Sequence, residues 1–153
     1  MAVLLALALG GHGPKLLVPG TSLGGIRIGD RPARVTALWG TRHGLCRSCA
    51  GTTWLYNERP FEPQGLAVSF KRNRVAAVFT LWQPAGWRTS RGLSTGDTAA
   101  SMTATYGVLA RVPCAGYDTY LLGRATRIYV RDDTIWGFGL TRAGAPTCRE
   151  PRA

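Results

Sequence analysis

The 153-residue chain is expected to fold as an α+β protein of two tandem repeats, each a short helix followed by about three antiparallel strands, the two packed as a pair. Three observations predict this. One segment repeats without gaps, two apolar hairpins follow the two copies, and the length suits one ordinary domain or two small ones. Apolar residues make up 45% and charged residues 18%, which describes a chain that buries a core rather than a disordered basic tail. The length excludes a TIM barrel or a two-domain dinucleotide enzyme. No apolar run approaches the roughly 20 residues of a transmembrane helix.

The repeat aligns the segment from Gly25 to Gly40 with the segment from Gly92 to Gly107, 67 residues later. The first copy reads Gly25-Ile26-Arg27-Ile28-Gly29-Asp30-Arg31-Pro32-Ala33-Arg34-Val35-Thr36-Ala37-Leu38-Trp39-Gly40. In both copies Asp30 and Asp97 suit helix N-capping, and Pro32 falls in a first turn where its missing N–H costs nothing. Val35, Leu38 and Trp39 lie at i, i+3 and i+4, one apolar helix face, and Met102, Thr105 and Tyr106 repeat the spacing. Gly40 and Gly107 stop each helix at a left-handed C-cap. Helices this short are marginal alone and must dock on something.

The sheet supplies the docking surface. Residues 66–70, the polar turn Lys71-Arg72-Asn73 and residues 74–81 read as a β-hairpin. Residues 126–130, Arg131-Asp132-Asp133 and residues 134–140 form its counterpart, and candidate strands at 53–56 and 117–122 precede the two hairpins. Along the last strand, simple alternation sets Ile135 against Trp136, Phe138 and Leu140. The predicted organisation is a leader over 1–13, a first repeat over 21–86 and a second over 87–149, with residues 83–91 as linker.

The glycine, aspartate and helix pattern of Gly25–Gly40 and Gly92–Gly107, followed by a three-stranded sheet, resembles the bacterial β-lactamase-inhibitory-protein architecture. It is also similar to the small outer-membrane assembly lipoproteins, although no lipidation cysteine follows the apolar N-terminus here. Both families are exported and work by binding other proteins, so the resemblance implies a fold and a binding role. No inhibitory contact residue aligns beyond the repeated motif.

Residues 1–9 form an uninterrupted apolar stretch with a small-x-small site at Ala6-Leu7-Ala8, as in a secretory signal, but without a basic n-region. Export is the preferred reading over a buried N-terminal segment. Four cysteines, Cys46, Cys49, Cys114 and Cys148, then read as two disulfides, for which three connectivities exist. Cys46–Cys49 with Cys114–Cys148 is favoured, since each bridge would staple one half. In a reducing compartment the same residues would be free thiols or metal ligands.

No catalytic constellation, metal site or cofactor motif is expected. His12 falls in the leader or its flank, and His43 opens an H-x-x-C-x-x-C array with Cys46 and Cys49. A closed zinc site would need Cys114 or Cys148 as fourth ligand, so a loop histidine beside a disulfide is the simpler reading. A thioredoxin-like role is disfavoured because the pair follows a helix instead of opening one. Asp30 and Asp97 are caps, Asp132 and Asp133 fill a turn, and Glu58 and Glu62 sit in a loop.

The formal charge of +11 comes from 17 Arg and 2 Lys against 8 acidic residues. Arginine-rich coding bias explains it as readily as an anionic partner does. Lys71, Arg72 and Arg74 cluster at one hairpin tip, and Arg88, Arg91, Arg124, Arg127 and Arg131 recur later, without a nucleic-acid motif. Aromatics gather on or beside the strands, including Trp82, Trp87 and Tyr120. Trp54, Tyr56, Tyr129, Trp136 and Phe138 are the candidate protein-binding residues, unless their face is the junction of the two units. The expected function is that of an exported, non-enzymatic module binding another extracytoplasmic protein through its sheet, with no specific nucleic acid. The alternatives are a basic binder of an anionic polymer and a CxxC thiol or zinc protein.

Overall fold

The computed structural model describes residues 13–56 and 65–149. Almost all of the expected leader lies outside them, as do His12, Glu58 and Glu62. The first segment contains β1 (Leu16–Val18), β2 (Ser22–Leu23), α1 (Pro32–Trp39), β3 (Gly44–Leu45), β4 (Thr52–Leu55), β5 (Gly65–Lys71) and β6 (Arg74–Leu81). The second contains β7 (Arg88–Thr89), α2 (Ala99–Tyr106), β8 (Ala110–Cys114), β9 (Tyr117–Leu122), β10 (Thr126–Arg131) and β11 (Thr134–Thr141). It is a mixed α+β fold dominated by strands.

Among the described residues, eight strands form one sheet in the order β3-β4-β5-β6-β11-β10-β9-β8, and β2-β1-β7 form a smaller one. Both predicted hairpins are present, and each closes through two residues of positive φ. Arg72 (51°) and Asn73 (59°) turn the first, and Asp132 (49°) and Asp133 (59°) the second, the geometry that suits the twist of adjoining strands.

Several expectations are corrected. Each segment supplies four strands to the large sheet rather than three. β3 is only two residues long, and β8 (Ala-Arg-Val-Pro-Cys) carries a proline that only an edge strand tolerates. The segments are not packed face to face: β6 and β11 join edge to edge through Gly139↔Phe79, Leu140↔Val78 and Thr141↔Ala77. Residues 83–91 are no linker. Trp87 is 1% exposed, and β7 pairs in parallel with β1. The Pro-Gly-Arg context of Trp87 hides this in the sequence.

The aspartates are not N-caps. Asp30 Oδ2 accepts from the Arg27 N–H and Asp97 Oδ2 from the Ser94 N–H, each at 2.8 Å, bracing the turn ahead of the helix. The N-cap positions belong to Arg31, whose side chain caps nothing, and Thr98, which accepts from Ser101 N–H at 3.1 Å. Gly40 (φ 83°, ψ 179°) and Gly107 (φ 78°, ψ −167°) do end the helices, in a region that only glycine readily enters.

Each braced turn docks on a hairpin. Gly29 N–H donates to Val75 O and Val75 N–H to Asp30 O, while Gly96 pairs with Ile135 and Ile135 with Asp97 in the same way. One face of the large sheet is thereby covered by both helices and the small sheet. Leu17, Leu23, Val35, Trp39, Trp87 and Met102 pack there against Leu66, Val68, Val78, Ile128, Phe138 and Leu140. Trp39 stacks on Trp87 (5.8 Å, 8°) and donates its indole N–H to Gly24 O at 2.7 Å. A smaller cluster, Ala67, Phe79, Leu81 and Tyr129, lies on the opposite face.

A β-bulge decides which residues reach that opposite face. In the second hairpin Tyr129 pairs with Gly137 and Val130 with Ile135, so Trp136 is the extra residue. Ile135 is thereby brought to the same core as Phe138 and Leu140, and Trp136 alone turns away. Plain alternation had set Ile135 against all three. The first hairpin bulges equivalently at Ala76, between Ser69↔Ala77 and Phe70↔Val75.

Candidate functional site

Four neighbouring strands, β6, β11, β10 and β9, each place one aromatic ring on the face away from the helices: Phe79, Trp136, Tyr129 and Tyr117. Tyr117 meets Tyr129 edge-on (5.7 Å, 89°) and tilts against Trp136 (5.4 Å, 47°). Trp82, 51% exposed, extends the cluster by an edge contact with Trp136 at 6.4 Å. The Tyr129 ring can lie where it does because Gly139 lacks a side chain: a methyl there would collide with the phenol oxygen.

The four rings enclose a cation. The Arg149 guanidinium carbon lies 4.6 Å from the Trp136 centroid, 5.2 Å from Tyr129, 5.3 Å from Phe79 and 5.9 Å from Tyr117. Such distances suit attraction between a guanidinium and the negative faces of aromatic rings. Nη1 donates to Thr80 O at 2.6 Å, and the Arg149 backbone N–H donates to Tyr117 Oη at 2.6 Å. Nε is buried without an acceptor, and among the described residues no carboxylate pairs with this arginine. Burial lowers the guanidinium pKa and raises that of the Tyr129 phenol, which the guanidinium opposes.

Arg149 arrives on a strap that follows β11 and is fastened by the Cys114–Cys148 disulfide to edge strand β8. Beside the strap runs a cavity of about 310 Å³, lined by Ser69, Ala77, Thr141 and Pro146 among others. Arg131 approaches the Trp136 ring separately, at 5.8 Å.

The predicted binding aromatics therefore part company. Tyr129 and Trp136 belong to the cage. Phe138 is fully buried in the main core, and Tyr56 is buried there against Trp39 at 6.0 Å. Trp54 is half-buried on the helix side, between the His43 ring (3.9 Å, stacked) and Phe70 (4.7 Å). Phe79, Tyr117 and Arg149 were not singled out from the sequence. The strand pattern held a clue to both rings, whereas only its place beside Cys148 marks Arg149.

Cys46 bonds Cys49 and Cys114 bonds Cys148. The H-x-x-C-x-x-C cysteines are thus joined to each other, and the histidine lies on Trp54. The arginines have varied company. Arg74 donates to Gly29 O, Arg127 is buried and donates to Arg124 O and Thr126 O, and Arg111 pairs with Asp118 at 2.9 Å.

Comparison with protein-family models and with curated proteins returns no match. One solved structure is similar. It is an extracellular protein containing a SCP domain from Bacillus anthracis, at a TM-score of 0.54 and 10% identity. The match covers 74% of this chain and 43% of that one, so this chain spans less than half of that protein's length. The likeness is one of fold. No helix among the described residues is long and apolar enough to cross a membrane.

Proposed function

We propose that the chain is an exported, non-enzymatic protein-binding module whose contact surface is the aromatic region around Trp82 and Trp136. The observation that carries this reading is the gathering of rings from four adjacent strands on the helix-free face, ending in an exposed tryptophan. Tryptophan and tyrosine gathered in this way are the side chains that most often anchor protein interfaces. Two disulfides suit an oxidising, extracytoplasmic compartment, and the similarity to part of an extracellular protein is in keeping with it.

The two segments are in this reading a duplicated unit. The equivalent turn bonds of Asp30 and Asp97, and the equivalent bulges at Ala76 and Trp136, support the duplication. So does the resemblance of the repeated motif to the β-lactamase-inhibitory-protein and assembly-lipoprotein pattern, which also suggests binding.

The test is capture from the native host's envelope fraction by three proteins: wild type, Trp82→Glu and the helix-side control Ala100→Glu. The expected result is one protein retained by wild type and by the control, and reduced at least about tenfold by Trp82→Glu, as for an interface anchor. Capture that is indifferent to Trp82→Glu and collapses at modest salt would replace this reading with charge-driven binding of an anionic polymer.

A further inference from the structure

We propose that the cage of Phe79, Tyr117, Tyr129 and Trp136 is a guanidinium-recognition site for an arginine on an extended segment of a partner protein, with Arg149 as its intramolecular occupant. The proposal rests on the protein-binding reading above and names the group recognised.

The cage is built for a cation. Four π faces converge on one point from four strands, with guanidinium-to-centroid distances of 4.6 to 5.9 Å. A carbonyl, Thr80 O, waits at hydrogen-bond distance from the guanidinium, and a phenol oxygen, Tyr117 Oη, accepts from the backbone of the same residue. Side chain and main chain of an incoming arginine would therefore both be recognised.

Arg149 is an imperfect tenant. Its Nε is buried without an acceptor, and no described carboxylate compensates for its desolvation. A methionine or leucine would fill the same volume without that penalty. The residue is held in place by its neighbour, since Cys148 is locked to Cys114. A short tether supplies an effective concentration on the order of millimolar, enough to fill a weak site in cis. An arginine presented with additional contacts would displace it, and the cavity beside the strap offers room for them.

The protein's +11 charge opposes the long-range approach of any cation. Added salt screens that repulsion over a length of about 8–10 Å while leaving the contact between ring and guanidinium intact. Binding at the cage should therefore strengthen with salt, the reverse of binding to a polyanion.

The experiment titrates the full chain with an acetylated, amidated Gly-Arg-Gly peptide and its citrulline counterpart, following the Trp136 indole N–H by NMR. Arg149→Ala is expected to bind the arginine peptide at least about tenfold more tightly than wild type, as removal of a tethered competitor requires. It should not bind the citrulline peptide, and adding Tyr117→Ala, which removes one cage ring and leaves the Trp136 indole N–H in place as the reporter, should abolish the response. If Arg149→Ala fails to fold, the Cys114→Ser/Cys148→Ser variant takes its place. It keeps Arg149 but loosens it, and must bind more tightly than wild type. The proposal is overturned if the vacated or loosened cage binds neither peptide, binds both alike, or binds less as salt rises. Should the peptide fail while Trp82→Glu still abolishes partner capture, the cage assignment falls and the protein-binding reading stands.

Discussion

At the scale of single residues, two sites carry measurable expectations. Arg31 and Thr98 occupy the same place ahead of their helices, but only Thr98 caps. Arg31→Thr should raise the unfolding free energy by about 0.5–1 kcal/mol, and Thr98→Ala should lower it by about 1 kcal/mol, read by chemical denaturation. A result with Arg31→Thr neutral and Thr98→Ala costly would mean that Pro32 already holds the first turn of α1. The second site is Tyr56, whose partly buried hydroxyl donates to Gly40 O at 3.1 Å and whose pKa burial pushes up to about 12. The unfolded phenol titrates near 10. Its contribution to stability is thus fully present below about pH 10 and is lost as the pH rises through about 12, because only the unfolded chain releases the proton in that window. Ultraviolet titration should find a phenol ionising near pH 12 that Tyr56→Phe removes, and Tyr56→Phe should reduce the alkaline loss of stability.

At the scale of elements, the bulge in β11 matters more than any strand boundary. It turns Trp136 into the cage and keeps Ile135 with the core, and Gly139 opens the space above which Tyr129 lies. Gly139→Ala should cost about 1–3 kcal/mol by displacing that phenol, and should move the Trp136 indole N–H resonance at the same time. The hairpins were legible in the sequence because their turn residues and apolar alternation are local. The bulge was not, since one unpaired residue leaves no mark in composition. β8 escaped for a different reason: Arg111 and Pro113 break its pattern, and an edge position tolerates both. The disulfides differ in reach. Cys114–Cys148 spans 34 residues and Cys46–Cys49 only 3. On loop entropy alone, removing the first should cost about 3–4 kcal/mol and removing the second about 2 kcal/mol. Denaturation of the two double-serine variants orders them.

At the scale of the whole molecule, the α+β class and the presence of two helices and two hairpins could be read from the sequence, but the way the halves meet could not. Apolar faces suggested a junction of surfaces, whereas the backbone edges of β6 and β11 join instead, through three residue pairs. Nothing in the side chains of residues 77–79 or 139–141 announces that edge. The same limit hid the cage, because Phe79, Tyr117, Tyr129 and Trp136 are scattered in sequence and become neighbours only through strand order. The Cys114–Cys148 bridge has a further consequence on this scale. Together with the backbone it closes a covalent ring that contains β9, β10 and β11. A protease that nicks the chain anywhere between the two cysteines leaves fragments that stay linked and migrate as one band until a thiol is added. A cut in the turn at Arg72-Asn73 lies outside that ring, and frees its pieces as soon as a denaturant parts them.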